Sequence, residues 1–195
     1  MKDSDKREKA NFVLFALGKF ISIFGTSIYT FAIGLHVLKI TGSGLSFAVT
    51  LALGTIPMIL ANPFAGVMAD KFDKKSMVVA MDFFNGILLA SLYFLSSAYG
   101  LNLVMIYVST FVMTVFTTFF GISIEAAKPN IVSEKMLMDI NSWSKVIDSA
   151  SSILGPMIGG LIFAFVDIKF FILANGLSFI ISGISEMFID FKFNY

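Results

Sequence analysis

Six apolar runs, each long enough to cross a bilayer, constrain this chain more than any other feature. They occupy about residues 12–37, 44–68, 76–97, 102–124, 140–166 and 170–189. A hydrocarbon core of ~30 Å needs about 20 mostly apolar residues of helix, and each run supplies them. Short polar breaks separate the runs: Lys39 to Ser43, Asp70 to Lys75, Ser97 to Gly100, Glu125 to Asp139 and Asp167 to Lys169. Inside lipid every backbone N–H and C=O must be bonded within the protein, which leaves helices or a closed barrel. Barrel strands alternate apolar and polar residues, whereas these runs are continuous. The chain therefore reads as an all-α membrane protein of six transmembrane helices, with the lipid bilayer as its first partner.

Composition agrees. Hydrophobic residues make up 57% of the 195 and charged residues only 14%, against roughly 25% charged in a soluble domain. That apolar surplus cannot be hidden in one small core. The net charge of +1 gives no reason to expect nucleic acid as a partner. There is no Cys, so disulfides, thiolate metal sites and cysteine nucleophiles are excluded. The single His36 has no G-x-S-x-G elbow or H-E-x-x-H pair to work with. The reading is accordingly not an enzyme, with no metal and no cofactor.

The charged residues 1–11 are followed directly by the first run. A cleavable signal would have an apolar stretch of about 7–15 residues and a small-residue cleavage site. The first run is longer, so it is expected to be a retained span after an N-terminal tail, with residues 191–195 beginning a linker. Orientation follows from the basic residues of the short loops. Lys2, Lys6, Arg7, Lys9, Lys71, Lys74, Lys75, Lys128, Lys135 and Lys192 fall on one side, and only Lys39 and Lys169 on the other. Both termini are thus expected in the cytoplasm. Three spans lie on each side of the break at residues 97–100, as in a 3+3 inverted repeat, although the two halves share no convincing identity.

The second cytoplasmic break reads Gly66-Val67-Met68-Ala69-Asp70-Lys71-Phe72-Asp73-Lys74-Lys75. It resembles the loop signature G-x-x-x-D-R/K-x-G-R/K-R/K between helices two and three of the major facilitator superfamily, with Asp73 in place of the second Gly. The fifth span carries Ser151-Ser152-Ile153-Leu154-Gly155-Pro156-Met157-Ile158-Gly159-Gly160. This is similar to the G-x-x-x-G-P-x-x-G-G element of drug/proton antiporters in that superfamily, with Ser151 replacing the first Gly. Thr41-Gly42-Ser43, Ile56-Pro57, Asp82 and Lys128-Pro129-Asn130-Ile131-Val132 extend the resemblance to the macrolide-efflux and enterobactin-exporter group.

That resemblance implies twelve helices in two six-helix halves with substrate bound between them, of which this chain would be the N-terminal half. It implies ion-coupled, proton-driven export of a small amphipathic molecule or drug across a bacterial cell membrane by alternating access. The partner would be the missing C-terminal half or a second copy. The alternatives are a truncated or split six-helix protein without transport, a subunit of a nucleotide-driven exporter and, furthest off, an intramembrane enzyme.

Polar residues within spans locate the candidate site, because a charge at a helix centre costs roughly 2.5–3.5 kcal/mol on insertion. Lys19, Ser22, Thr26 and Tyr29 form one stripe on the first helix, and Thr110, Thr114 and Thr117 another on the fourth. The resemblance places substrate-cavity walls on helices one, two, four and five. From the residues alone, the Thr stripe reads equally as interhelical glue, and Lys19 as a side chain snorkelling to the interface. Asp148, beside Lys145 and Ser152 on the fifth helix, is the candidate for proton coupling, since low dielectric favours the neutral acid and lets it carry a proton. Gly66, Asp70, Lys71, Lys74, Lys75 and Asp82 are assigned to a cytoplasmic gate, with Asp82 paired to the basic loop. Glu125 and Glu186 are expected at the interfaces. Ser151, Gly155, Pro156, Gly159 and Gly160 are assigned to close helix packing, because small residues four apart let backbones approach.

Overall fold

The computed structural model describes residues 2–193; Met1 and the last two residues of the expected linker lie outside the described residues. Among the described residues seven helices make up the six spans: α1 (Lys2–Thr41), α2 (Gly44–Leu53), α3 (Ile56–Lys71), α4 (Lys74–Tyr99), α5 (Leu103–Ile131), α6 (Glu134–Phe163) and α7 (Ile168–Met187). Ser43, Asp73, Asn102 and Asp167 start four of them, each side chain accepting a backbone N–H two or three residues on. This is the standard satisfaction of an orphan donor at a helix start.

The helices outrun the apolar runs that announce them. α1 continues back through the charged residues of the expected tail, α5 continues to Ile131, and α6 begins at Glu134 rather than near residue 140. Hydropathy marks where lipid ends; caps and breakers mark where a helix ends. Glu125 and Lys128 are in consequence helical.

The second span is split between α2 and α3, and Pro57 explains the break. Proline has no N–H to give the carbonyl four residues back, which is that of Leu53. Thr114 Oγ1 of α5 donates to that carbonyl at 3.0 Å instead. Freed backbone groups in transmembrane helices are commonly satisfied by Ser and Thr side chains in this way.

Packing follows the expected internal symmetry. α1 packs on α6 and α7, α5 packs on α3 and α4, and α4 packs on α7. Written as spans, these pairs are 1–5, 1–6, 4–2, 4–3 and 3–6. Exchanging spans 1, 2, 3 with 4, 5, 6 maps this set onto itself, as a two-fold axis between three-helix halves requires. Large apolar side chains such as Leu45, Phe64, Phe94, Val104 and Ile153 point outward, as on a bundle whose surroundings are lipid or a second bundle rather than water.

Two buried apolar clusters divide the bundle. One gathers Tyr29, Ile33, Leu89, Ile106 and Ile172; the other gathers Phe15, Val78, Phe120, Ile131 and Ile189. Between them each long helix contributes polar residues: Lys19, Ser22 and Thr26 from α1, Asp82 and Asn85 from α4, Thr114 to Thr118 from α5, Ser182 and Glu186 from α7. The cavity candidates of α1 and α5 belong to this set, whereas the gate candidates from Gly66 to Lys75 lie at the α3–α4 turn.

Candidate substrate cavity

Lys19, Ser22 and Thr26 face one cavity of about 790 Å³, bounded also by Met58 and Asn62 of α3, Thr117 and Gly121 of α5, and Asp148 and Ser152 of α6. Its volume falls within the range of small-molecule sites, and its wall mixes apolar surface with a few convergent polar groups.

An ion cluster forms one end. Lys19 Nζ donates to Ser144 Oγ, and lies 3.0 Å from Asp148 Oδ1 and 3.5 Å from Glu125 Oε1. Ser144 Oγ donates to Glu125 Oε1 at 3.1 Å. Lys128 Nζ reaches Glu125 Oε2 at 2.5 Å and Asn141 Oδ1 at 3.2 Å. The cations are the buried members: the side chains of Lys19 and Lys128 are 5% and 2% exposed, those of Asp148 and Glu125 37% and 44%. The cluster therefore shows carboxylate oxygens to the cavity while holding its ammonium groups behind them. Burying an ion is tolerable only where partners replace its water, and each lysine has them.

The structure divides the sequence candidates. Lys19, Ser22, Thr26 and Thr117 line the cavity together with Asp148. Tyr29, Thr110 and Thr114 do not. Tyr29 is packed into an apolar cluster. Thr110 is buried, and Thr114 is turned to backbone carbonyls of Thr110 and Leu53. A stripe at helical spacing on a bundle helix serves packing and cavity by turns, because the cavity covers only part of its length.

Asp82 also departs from expectation. It does not pair with the basic loop: it is fully buried, and neither carboxylate oxygen has a hydrogen-bond partner. Lys75 instead donates to the carbonyls of Met187 and Ile189 at 2.7 and 2.9 Å, at the C-terminal end of α7, where a cation meets the helix dipole. Asp70 and Lys71 are exposed and Lys74 is half-buried, all without an ion pair among the described residues. Asp73 caps α4, its carboxyl held below the usual range by the Ser76 hydroxyl and then the Ser76 N–H.

Glu125, expected at the interface, is central to the cluster, and Glu186 is buried between helices. Their signals were present in the sequence: Glu125 and Lys128 stand three apart, an ion-pair spacing if the helix continues past Pro129. The packing residues meet α1. A Cβ at Gly155 would collide with the Ser27 side chain, one at Gly159 would sit 2.8 Å from Ile28 O, and one at Gly160 would lie 3.2 Å from the Phe31 ring. Ser27 Oγ donates to Ser151 O at 2.7 Å across the same contact.

Known proteins resemble the chain along this whole length. Macrolide efflux protein A of Streptococcus pyogenes is 23% identical over 177 residues, covering 91% of this chain and 44% of that protein. The uncharacterized MFS-type transporter YfiS of Bacillus subtilis is 24% identical over 170 residues, 87% of this chain and 40% of YfiS. Multidrug resistance protein 2 of Bacillus subtilis is 24% identical over 191 residues, 97% of this chain and 46% of its own length. The chain thus spans less than half the length of these curated relatives. No solved structure matches it. The family model of the Major Facilitator Superfamily matches residues 15–191, all but the ends of the six-helix bundle, and the chain belongs to that superfamily.

Proposed function

We propose that this chain is the N-terminal bundle of a secondary active exporter that moves a small amphipathic molecule or drug out of a bacterial cell by alternating access, driven by the proton gradient. The observation that carries the reading is the cavity of about 790 Å³ whose wall brings Lys19, Ser22, Thr26 and Thr117 together with Asp148. The efflux names of the relatives support the direction of transport and a macrolide as the first substrate to try. Both termini are assigned to the cytoplasm from the distribution of Lys and Arg.

In this reading Asp148 is the proton carrier. Of the two carboxylates on Lys19 in the cavity wall it is the nearer, at 3.0 Å against 3.5 Å for Glu125, so protonating it weakens the hold on the lysine and changes the charge the substrate meets. Asp70 with Lys71, Lys74 and Lys75 forms the cytoplasmic latch against the partner bundle. That partner is a C-terminal six-helix half or a second copy of this chain, since alternating access needs two bundles rocking about a central site.

The test is macrolide transport into inverted vesicles from cells producing the whole transporter, under an imposed proton gradient. Asp148→Asn is expected to abolish gradient-driven uptake while leaving substrate binding in place, and Asp70→Asn to impair transport strongly. Gradient-driven uptake at the wild-type rate in Asp148→Asn would remove Asp148 from coupling; wild-type transport in Asp70→Asn would remove the latch.

A further inference from the structure

Away from the cavity, α4 and α7 enclose two carboxyl groups. Asp82 is 0% exposed and Glu186 is 2% exposed. They meet where α7 is thinnest: a Cβ at Gly183, one turn before Glu186, would lie 3.4 Å from Asp82 Cβ. Among the described residues no group stands at full hydrogen-bonding geometry to either oxygen of Asp82 or to Oε2 of Glu186, and the Ser182 hydroxyl is the polar group that acts on both carboxyls.

Among the described residues no cation forms an ion pair with either. On α4, Lys75 is engaged with the Met187 and Ile189 carbonyls, and Asn85 gives one of its two amide hydrogens to Thr117. On α1, Lys19 is engaged with Ser144, Glu125 and Asp148. On α7, Ser185 donates to the Leu14 carbonyl. On α5, Ser123 is turned to Met77. The remaining neighbour is Ser182, fully buried, whose Oγ lies 3.1 Å from the Gly18 carbonyl of α1 and 3.2 Å from Glu186 Oε1. One hydroxyl carries one hydrogen. That hydrogen can be shared between two acceptors, as at Thr114, but a carboxyl that carries a hydrogen gives each contact one of its own.

Two adjacent carboxylates out of water with no counter-charge cannot both stay ionised. We propose that Asp82 and Glu186, with Ser182 joining them to α1, form a proton-binding site in the α4–α7 interface, separate from the cavity, which holds at least one proton in this structure. The proton neutralises the repulsion and lets the two helices close on each other at Gly183. The site stands whether or not the chain transports; where it does, this is a second place for the driving ion beside Asp148.

The test is infrared absorbance of the purified chain in dodecyl maltoside at neutral pH, in the carbonyl region where protonated carboxyl groups absorb. A band is expected that shifts slowly in heavy water, is the same in sodium and choline chloride, and is lost in the double variant Asp82→Asn/Glu186→Gln. Should that variant fail to fold, the single variants decide: Asp82→Asn is expected to leave a Glu186 band and Glu186→Gln an Asp82 band at a different frequency. No band in the wild type, a band unchanged in both single variants, or a band removed by sodium, which would place a metal ion where the proton is assigned, each overturns the proposal.

Discussion

Replacing Gly159 by Ala tests whether the small residues of α6 are there to let α1 approach. The added Cβ would stand 2.8 Å from the backbone oxygen of Ile28, where ordinary contact begins near 3.4 Å. A backbone atom cannot rotate away as a side chain can, so the two helices must part by about 0.6 Å in a close-packed contact. Forced overpacking of this kind costs about 1–3 kcal/mol, and the separation also strains the Ser27–Ser151 hydrogen bond. Alanine is the better helix former by about 0.8–1 kcal/mol, which works in the opposite direction. The proper control is therefore Gly121→Ala in α5, where nothing lies within 4 Å of the new methyl group. Both variants gain the same propensity, so the difference between them isolates the clash at about 1–3 kcal/mol. Equilibrium unfolding in mixed micelles with increasing dodecyl sulfate reads it directly. Equal midpoints for the two variants would refute the argument, and with it the assignment of Gly159 to close packing.

Thr114→Val removes the hydroxyl donated to the Leu53 carbonyl at the Pro57 break, and is expected to cost about 0.6–1.7 kcal/mol in the same assay. Thr118→Val, whose hydroxyl bonds only within its own helix, is expected to be near neutral. The double variant Glu125→Gln/Asp148→Asn strands the buried Lys19 and is expected to cost about 3–5 kcal/mol. Lys19→Met leaves only half-exposed carboxylates that water can solvate, and is expected to stay within about 1 kcal/mol of wild type; a reversed order in denaturant midpoints would refute this view of the cluster. Asp73 contributes its cap while ionised, and its carboxyl lies below the usual range in the folded chain. That contribution is full above the unfolded carboxylate value and fades as pH falls through the lower folded one. Asp73→Ala is thus expected to lose about 0.5–1 kcal/mol at neutral pH and little at the acid end, measured as melting temperature against pH.

The number and type of the spans are legible in the sequence because one quantity, the length of an apolar run, decides them against a fixed bilayer thickness. Helix ends are less legible, since they depend on caps and on whether a proline interrupts. Pro129 lies within α5, whereas Pro57 marks a break because the carbonyl it frees has a threonine waiting on another helix. Nothing local to Pro57 announces Thr114. The close contact of α1 with α6 is readable from the small residues of the fifth span. The close contact of α4 with α7, through Gly86, Gly176 and Gly183, is not, as those glycines lie on two helices and form no run.

The candidate site divides along the same line. Lys19 is legible as an intramembrane charge that needs a partner, because a lone lysine at that depth is costly wherever the helix turns. Its partners are not, because they come from α5 and α6, far off in sequence, and Glu125 stands where hydropathy alone ends the fourth span. Charge in a membrane protein is a property of the layer in which helices bring it together, not of the run in which it is written. Asp82 and Lys75 make the point from the other side. They are two turns apart on α4, so their pairing is the natural reading of the sequence. Yet the end of α7 and the turn after it supply Lys75 with two carbonyls, and α7 sets a second buried carboxyl beside Asp82. The helix that separates them thereby takes up one charge and turns the other into a requirement for a proton.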